Sequence, residues 1–254
     1  MKIKFLTLNI WRGKLIKNVL AFLRKEDADI VVLQEVFNGL NQKLNPQYRA
    51  FSIVKRELGY PHSLFAPAFL DISADSQVEN GNAIFSKFPI NTHRIHFFDV
   101  PYGTYIDAPG NYERCPRILV HAQLQVETRR LNVFNIHGIY GLSGEDNQRR
   151  LAMSKTIVSL IKNKENVILA GDFNLPPQTE TIRNIEKHLT SVFGDTLITT
   201  FNMKRKENPD YGKVAVDMIF VSKNLKIVRR FSPQVDVSDH LPLACILDLS
   251  NLTF

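Results

Sequence analysis

The sequence predicts an α/β protein in which mixed β-sheets pack as a sandwich with helices. Three observations predict this class: a strand–helix–strand pattern opens the chain, adjacent alternating runs in its middle indicate antiparallel pairing, and helical patterns separate groups of strands. A barrel of regular βα units would not contain the hairpin-like connections, so the sandwich is favoured over the barrel.

The first third of the chain contains the strand–helix–strand pattern. Residues 3–10 are apolar with Ile and Thr and predict a strand. Apolar residues recur at helical spacing in 14–26, which predicts an amphipathic helix. The β-branched run 30–33 is typical of a strand buried on both faces, and 83–85 predicts a further short strand.

The remaining elements follow the same logic. Alternation in 118–126 and then 131–136 predicts two antiparallel strands. Apolar residues at helical spacing then predict a helix (Met153, Ile157, Leu160, Ile161), and the apolar run 167–170 predicts a buried strand. Two prolines at 176 and 177 are expected to open a helix reaching about residue 189. Strand-like runs end the chain, at 214–221, 225–231 and 243–249.

Length and composition favour one ordinary globular domain. The chain has 254 residues, a net charge of +7 and no apolar stretch long enough to span a bilayer. We therefore expect a single domain over 1–254, a monomer, and no stable membrane insertion. The two cysteines, Cys115 and Cys245, lie in apolar runs and are expected to be buried free thiols. Few cysteines and no signal-peptide pattern favour a cytoplasmic protein. The mild positive charge hints at an anionic partner.

Polar residues recur where the predicted strands end. Each alone is more often a turn or cap residue, but together they form an unusual set, because ligands of open α/β sheets bind at strand ends. The set comprises four carboxylates, two histidines and two amides: Glu35, Asp172, Asp217, Asp239, His137, His240, Asn9 and Asn174.

The residue types in this set favour a hard cation. Asp217 lies in an apolar run, where an unpaired charge would be costly, so it needs a partner such as a histidine. Clustered carboxylates need a cation, and oxygen ligands favour Mg²⁺ or Mn²⁺ over zinc. The sequence contains no CxxC or HExxH zinc motif, no phosphate-binding glycine loop and no GxSxG elbow.

Seven stretches, in order along the chain, resemble the motifs of the endonuclease/exonuclease/phosphatase superfamily, which includes the DNase I-like enzymes. They are LNI at 8–10, LQEV at 33–36, GNAIFS at 81–86, NIH at 135–137, GDFN at 171–174, DMIF at 217–220 and SDH at 238–240. GDFN and SDH are common strings individually, whereas the ordered set is specific.

This resemblance implies a four-layer α/β/β/α sandwich, in which two packed mixed β-sheets are flanked by helices, and metal-dependent hydrolysis of phosphoesters. By position in the motifs, Glu35 would be the main metal carboxylate, supported by Asn9 and Asp239. Asp172 would orient or deprotonate the attacking water. The phosphate-facing residues would be Asn174, His137 and His240, with His240 held by Asp217.

Residues that bind the substrate are indicated less directly. Asn82 lies in a family motif, Arg117 could supply a charge under the site, and Arg149 and Arg150 follow the loop after His137. Tyr112 lies in a long loop, 98–116, and aromatic residues beside basic ones can stack bases.

We expect a phosphodiesterase or nuclease-like enzyme, with nucleic acid slightly favoured by charge. The alternatives are a phosphomonoesterase or a phospholipid or inositol-phosphate hydrolase of the same fold, and a non-catalytic module that binds polyanions.

Overall fold

The computed structural model describes residues 1–73, 77–108, 110–141, 143–250 and 252. Its strands are β1 (Lys2–Asn9), β2 (Ile30–Phe37), β3 (His62–Asp71), β4 (Val78–Ser86), β5 (Ile90–Phe97), β6 (Thr104–Tyr105), β7 (Ile118–Val126), β8 (Arg129–His137), β9 (Val167–Asp172), β10 (Thr190–Ser191), β11 (Asp217–Val221), β12 (Lys226–Phe231) and β13 (Leu243–Asp248). Its α-helices are α1 (Ile16–Glu26), α2 (Ala50–Leu58), α3 (Gln148–Ile161) and α4 (Glu180–Glu186).

The strands form two mixed sheets. The first sheet has the order β12-β13-β1-β2-β4-β3-β6, and the second has the order β10-β11-β9-β8-β7-β5. β1 and β2 are parallel in the first sheet and β8 and β9 in the second, while most other neighbours are antiparallel. The predicted mixed sheets are therefore confirmed.

Three apolar clusters account for a four-layer arrangement. One cluster combines inward-facing residues of both sheets, such as Phe5 and Val120. A second joins α1 and α2 to the outer face of the first sheet, and a third joins α3 and α4 to the outer face of the second. Because central strands are covered on both faces, they read in the sequence as continuous apolar runs. The α/β/β/α sandwich is confirmed.

Several elements differ from their sequence prediction. Asp217 begins β11 instead of lying within a strand over 214–221, and the helix expected from the two prolines is only Glu180–Glu186. Within loop 98–116, Thr104–Tyr105 pairs with β3. β5 was not predicted, because it is a largely exposed edge strand without apolar alternation.

The two cysteines agree with expectation. Cys115 and Cys245 are both buried and free. Among the described residues, no helix is long and apolar enough to cross a membrane.

Candidate active site

Neighbouring strands of the second sheet place three site residues in one row. Parallel pairing of β8 with β9 puts His137 opposite Asp172, and antiparallel pairing of β9 with β11 puts Asp217 opposite Asp172 from the other side. All three are almost completely buried. Since paired residues on adjacent strands point to the same face of a sheet, the three side chains converge at one place.

Glu35 reaches this place from the first sheet through a β-bulge. The register between β2 and β4 shifts between Leu33 and Val36, and Glu35 has a positive φ of 56°. Asn135 on β8 donates through Nδ2 to the carbonyl oxygens of Leu33, at 3.0 Å, and Ala83, at 2.9 Å. A bulge leaves backbone groups unpaired and re-aims a side chain. Asn135 thus ties the second sheet to the bulged region, and the bulge directs Glu35 into the site.

Asn9, the last residue of β1, links the two sheets at the site. Its Nδ2 donates to Glu35 Oε1 and to Asp172 Oδ2, each at 3.1 Å, and its Oδ1 accepts from the backbone N–H of Trp11 at 3.0 Å. In this geometry Asn9 holds the two carboxylates at a fixed separation, while its oxygen serves the turn after β1.

Asp172 is held by the turn that follows β9. The backbone N–H of Asn174 donates to Asp172 Oδ1 at 2.8 Å, and Asn174 itself has a positive φ of 56°. Burial raises the pKa of Asp172, while the charge of His240 opposes this. A buried carboxylate with a raised pKa accepts a proton more readily than an exposed one.

His240 and Asp217 form a buried charged pair. His240 Nδ1 lies 2.8 Å from Asp217 Oδ2. Burial alone lowers the pKa of His240, but the charge of Asp217 and the hydrogen bond between them, with Asp172 and Asp239 nearby, raise it to about 10. His240 is therefore an imidazolium at neutral pH, with its Nε2 3.9 Å from Asp172 Oδ2.

The pKa of His137 is shifted in the opposite direction from that of His240. Burial and the nearby positive charge of Arg117 lower the pKa of His137 well below its ordinary value. Arg117 Nη1 lies 2.8 Å from Nδ1 and 2.6 Å from Nε2 of that ring. The ring is therefore neutral, and its Nε2 lies 3.6 Å from Asp172 Oδ2.

Most of these residues line one cavity of about 420 Å³. Three site carboxylates, Glu35, Asp172 and Asp239, contribute to its wall together with both histidines, Asn174 and Arg117, whereas Asp217 contacts His240 and is not part of the wall. Aromatic side chains also line the cavity, from Trp11, Tyr112, Tyr140, Phe201 and Tyr211. Its volume is in the range of cavities that bind small ligands.

The donor set in the cavity fits a hard divalent cation. Ligand atoms of Asp172, Asp217 and His240 lie within 4.8 Å of one another, which is compatible with a metal ion. However, a protonated imidazole has no lone pair for a metal, so His240 is suited to an anionic ligand and not to a metal ion. Glu35 and Asp239 offer carboxylate oxygens at the same cavity.

The predicted substrate-binding residues are divided between the cavity and its surroundings. Tyr112 and Arg117 line the cavity. Asn82 is buried between the sheets and donates to the carbonyl oxygen of Asn135 at 3.2 Å, so it does not reach the cavity. Arg149 lies outside and pairs with Asp99.

Arg150 lies beneath the site and not in it. Only 1% of Arg150 is exposed, and its guanidinium donates to the carbonyl oxygens of Ile139, Gly141, Glu145 and Asn174. These bonds support the loops that follow β8 and β9. A substrate contact by Arg150 is inconsistent with this burial, because its donors serve the protein's own backbone.

Sequence reasoning missed several cavity residues. Trp11, Arg12 and Tyr140 each follow a strand-end site residue within three positions, which is the signal that could have indicated them. Lys206 belongs to the basic run 204–206, whose place in the loop before β11 is itself an indication of a cation near the site, whereas no sequence signal indicated Tyr211 from the same loop.

The family model described as "Endonuclease/Exonuclease/phosphatase family" matches residues 6–240. The chain belongs to this family, whose members are generally phosphoester hydrolases that use a divalent metal. The resemblance seen in the motifs is thereby confirmed. No curated protein sequence gave a significant match.

Solved structures show the same fold at low sequence identity. An endonuclease/exonuclease/phosphatase from Beutenbergia cavernae is 18% identical with a TM-score of 0.76, covering 97% of this chain and 71% of its own. A mannosyl-6-phosphatase from Bacteroides thetaiotaomicron is 18% identical with a TM-score of 0.71, covering 97% and 99%. The human nocturnin catalytic domain with bound sulfate is 16% identical with a TM-score of 0.68, covering 97% and 94%.

Proposed function

We propose that this protein is a Mg²⁺- or Mn²⁺-dependent phosphoester hydrolase in which Asp172 accepts a proton from the attacking water. One observation carries the proposal: a buried carboxylate, an imidazolium and a neutral imidazole converge on one cavity that also presents the oxygens of Glu35 and Asp239. Membership of the family supports the reaction class.

Asp172 is suited to take the proton because its orientation is fixed. Each of its oxygens already accepts one hydrogen bond, from Asn9 and from Asn174, and each keeps another lone pair. A water placed against Asp172 would lie beside the phosphoryl group held by the donors of the cavity. Fixed orientation of this kind lowers the barrier by removing rotational freedom before the reaction.

The remaining polar residues would stabilise the negative charge that grows on the phosphoryl oxygens. The imidazolium of His240 is held in place by Asp217, while neutral His137, with Arg117 beside it, and Asn174 offer further donors. Preorganised donors at developing charge commonly give the largest rate contribution. Glu35 and Asp239, with Asn9 between the sheets, would hold the cation, which when bound neutralises phosphoryl charge and lowers the pKa of water.

Nucleic acid as the substrate receives little support from the arrangement of basic residues. The doublet Arg129–Arg130 begins β8 whereas His137 ends it, which places them about 25 Å from the site at the usual rise per residue. Arg149 pairs with Asp99, and Arg205 with Asp236. The sequence contains basic doublets or runs at 55–56, 129–130, 149–150, 204–206 and 229–230, and of these residues only Lys206 lines the cavity.

The test is turnover of p-nitrophenyl phosphate and of bis(p-nitrophenyl) phosphate with Mg²⁺ or Mn²⁺. Turnover that EDTA abolishes and added metal restores is expected. A wider panel of DNA, RNA, inositol phosphates and sphingomyelin then identifies the class of ester. If no phosphoester is turned over while calorimetry shows metal bound, the chain is a binding module instead of an enzyme.

A further inference from the structure

Lys206 is a cation fixed inside the cavity by contacts that none of the proposed catalytic steps requires. Its Nζ lies 2.5 Å from Asp239 Oδ2, and 5.0 Å and 5.2 Å from the ring centres of Phe201 and Tyr211. Its side chain is 20% exposed, in contrast to the exposed Lys204 in the same loop. A cation above aromatic rings is attracted by their π-electrons, so this ammonium has a defined place.

The backbone around Lys206 is tied to the segment that carries Asp239. Asn202 donates its backbone N–H to the carbonyl oxygen of Asp239 at 2.9 Å, and Phe201 forms a β-bridge with His240. The Asn202 carbonyl and side-chain oxygens then accept from the backbone N–H groups of Arg205 and Lys204, closing a turn. This turn directs Lys206 back over the cavity, so its position is set by the fold and not by a flexible surface stem.

The cationic and anionic side chains at the cavity are equal in number only when Lys206 is counted. The cations are Arg12, Lys14, Arg117, Lys206 and His240. The carboxylates are Glu35, Asp107, Asp172 and Asp239 on the wall, and Asp217 bonded to His240. A divalent cation would therefore leave two positive charges with Lys206 present and one without it. A phosphate monoester above its second pKa carries two negative charges, and a diester carries one.

Building on the proposed hydrolase function, we propose that Lys206 is a specificity-determining residue that binds a terminal phosphate and selects phosphate monoesters over diesters. One of the three ammonium donors is used by Asp239, which leaves two for the oxygens of the phosphate. A diester presents an alkylated oxygen where a monoester presents a charged one, and this oxygen cannot accept a charge-assisted hydrogen bond of the same strength.

The test compares Lys206→Met with Lys204→Met at pH 8. Methionine keeps most of the length of the side chain and its contact with the rings but removes the charge. For the monoester p-nitrophenyl phosphate, we expect kcat/KM of Lys206→Met to fall by about 10- to 100-fold, the effect of one charge-assisted hydrogen bond. For bis(p-nitrophenyl) phosphate we expect less than about a threefold change on the same principle. Lys204→Met should match the wild type on both esters.

A binding measurement tests the same proposal without turnover. Trp11 is the single tryptophan of the chain and lines this cavity, so its fluorescence can report occupancy. Inorganic phosphate should bind the metal-free wild type more tightly than dimethyl phosphate does, and Lys206→Met should remove this difference. Calorimetry should show Mg²⁺ or Mn²⁺ binding to Lys206→Met at least as tightly as to the wild type, because Asp239 loses a competing cation.

Two outcomes would overturn the role of Lys206. One is that Lys206→Met and the wild type prefer the monoester to the same extent. That preference is the ratio of kcat/KM for the two esters, and the ratio of the affinities for inorganic phosphate and dimethyl phosphate. The other is equal loss on both esters together with weaker metal binding, which would make Lys206 a support for Asp239. Failure of the wild type to turn over either ester would instead contradict the hydrolase function, and the phosphate titration would still decide whether Lys206 binds the anion.

Discussion

At the scale of single residues, Asp172 has the contacts expected of a general base. Asp172→Asn keeps the size of the side chain and its acceptor oxygen but removes the proton-accepting carboxylate. We expect kcat to fall by about 10²- to 10⁴-fold, the usual contribution of a general base. The matched control is Asp195→Asn at an exposed position, which should leave kcat unchanged. Asp172→Asn with wild-type kcat would remove Asp172 from this role.

The pair formed by Asp217 and His240 gives a second prediction at this scale. Asp217→Asn removes the charge that keeps His240 protonated and in one orientation. In a comparable aspartate–histidine pair the same change lowers kcat by about 10⁴-fold, and we expect a loss of about 10³- to 10⁴-fold here. Circular dichroism and a thermal melt would show whether the variant folds, and a loss of activity smaller than tenfold in the folded variant would contradict the assignment.

The sequence indicated the residues at strand ends but not those that complete the cavity. Asp172 and His137 could be predicted because each is a polar residue that follows an apolar run, which marks the end of a buried strand. Asn82 could not be separated from them, since a family motif does not reveal that its side chain points between the sheets. Lys206 depends on the turn made by Asn202, a tertiary contact that periodicity cannot show.

At the scale of elements, α4 depends on a cap supplied from another part of the chain. Thr179 precedes the helix without capping it, whereas Asp146 accepts the backbone N–H groups of Glu180, at 2.5 Å, and Thr181, at 3.0 Å. Asp146→Ala should lower the free energy of unfolding by about 1 kcal/mol, the usual effect of losing a helix cap. Urea unfolding followed by circular dichroism measures this difference.

The same cap predicts how stability depends on pH. Although burial opposes it, hydrogen bonds from Thr181 and Glu180 lower the pKa of Asp146 in the folded protein. The contribution of Asp146 is therefore fully present above its unfolded pKa and is lost as the pH falls through its folded pKa. Below that range, Asp146→Asn and the wild type should approach one another in stability. A difference that stays constant from pH 7 to pH 3 would contradict the assigned cap.

Most of the elements that the pattern predicted have buried faces, although the exposed edge strand β12 was also predicted and α2, which has a buried face, was not. β7 was predicted because alternate residues, such as Ile118 and Val120, face the core between the sheets. β5 is an edge strand in contact with solvent, and so it lacks this signal. The bulge at Glu35 could not be predicted, because it requires Asn135 from the other sheet to satisfy the carbonyl oxygens near it. Local sequence patterns indicate which residues are buried. Bulges and caps supplied by distant residues depend on tertiary contacts, which local patterns do not show.

At the scale of the whole molecule, the site joins two sheets that are otherwise held by an apolar interface. Asn9 and Glu35 come from the first sheet, and His137, Asp172 and Asp217 from the second. Inside this interface, Gln34 donates to Asn135 Oδ1 at 2.7 Å, and Asn135 in turn donates to both β2 and β4. The buried polar contacts fix how the sheets align, which apolar packing alone specifies less strictly.

Because both sheets supply site residues, a bound cation should stabilise the native protein as a whole. A ligand that binds only the folded state at one hundred times its Kd adds about 2.7 kcal/mol to the free energy of unfolding. For a protein of this size, that corresponds to a rise in Tm of roughly 5–10 °C. We expect saturating Mg²⁺ or Mn²⁺ to raise the Tm of the wild type by this amount and EDTA to reverse the rise.

Glu35→Gln is the variant that tests whether this stabilisation passes through the proposed site. Glutamine keeps the shape of the side chain and an oxygen for Asn9 but removes the charge that the cation requires. The rise in Tm should therefore be much smaller in Glu35→Gln, while the metal-free Tm should change little, because Glu35 lies at the cavity wall and not in the core. Glu79→Gln, at a partly buried acid outside the cavity wall, should respond to metal as the wild type does. An undiminished rise in Glu35→Gln would place the cation elsewhere, whereas loss of the rise in that variant alone would show that the cation that stabilises the protein binds through Glu35.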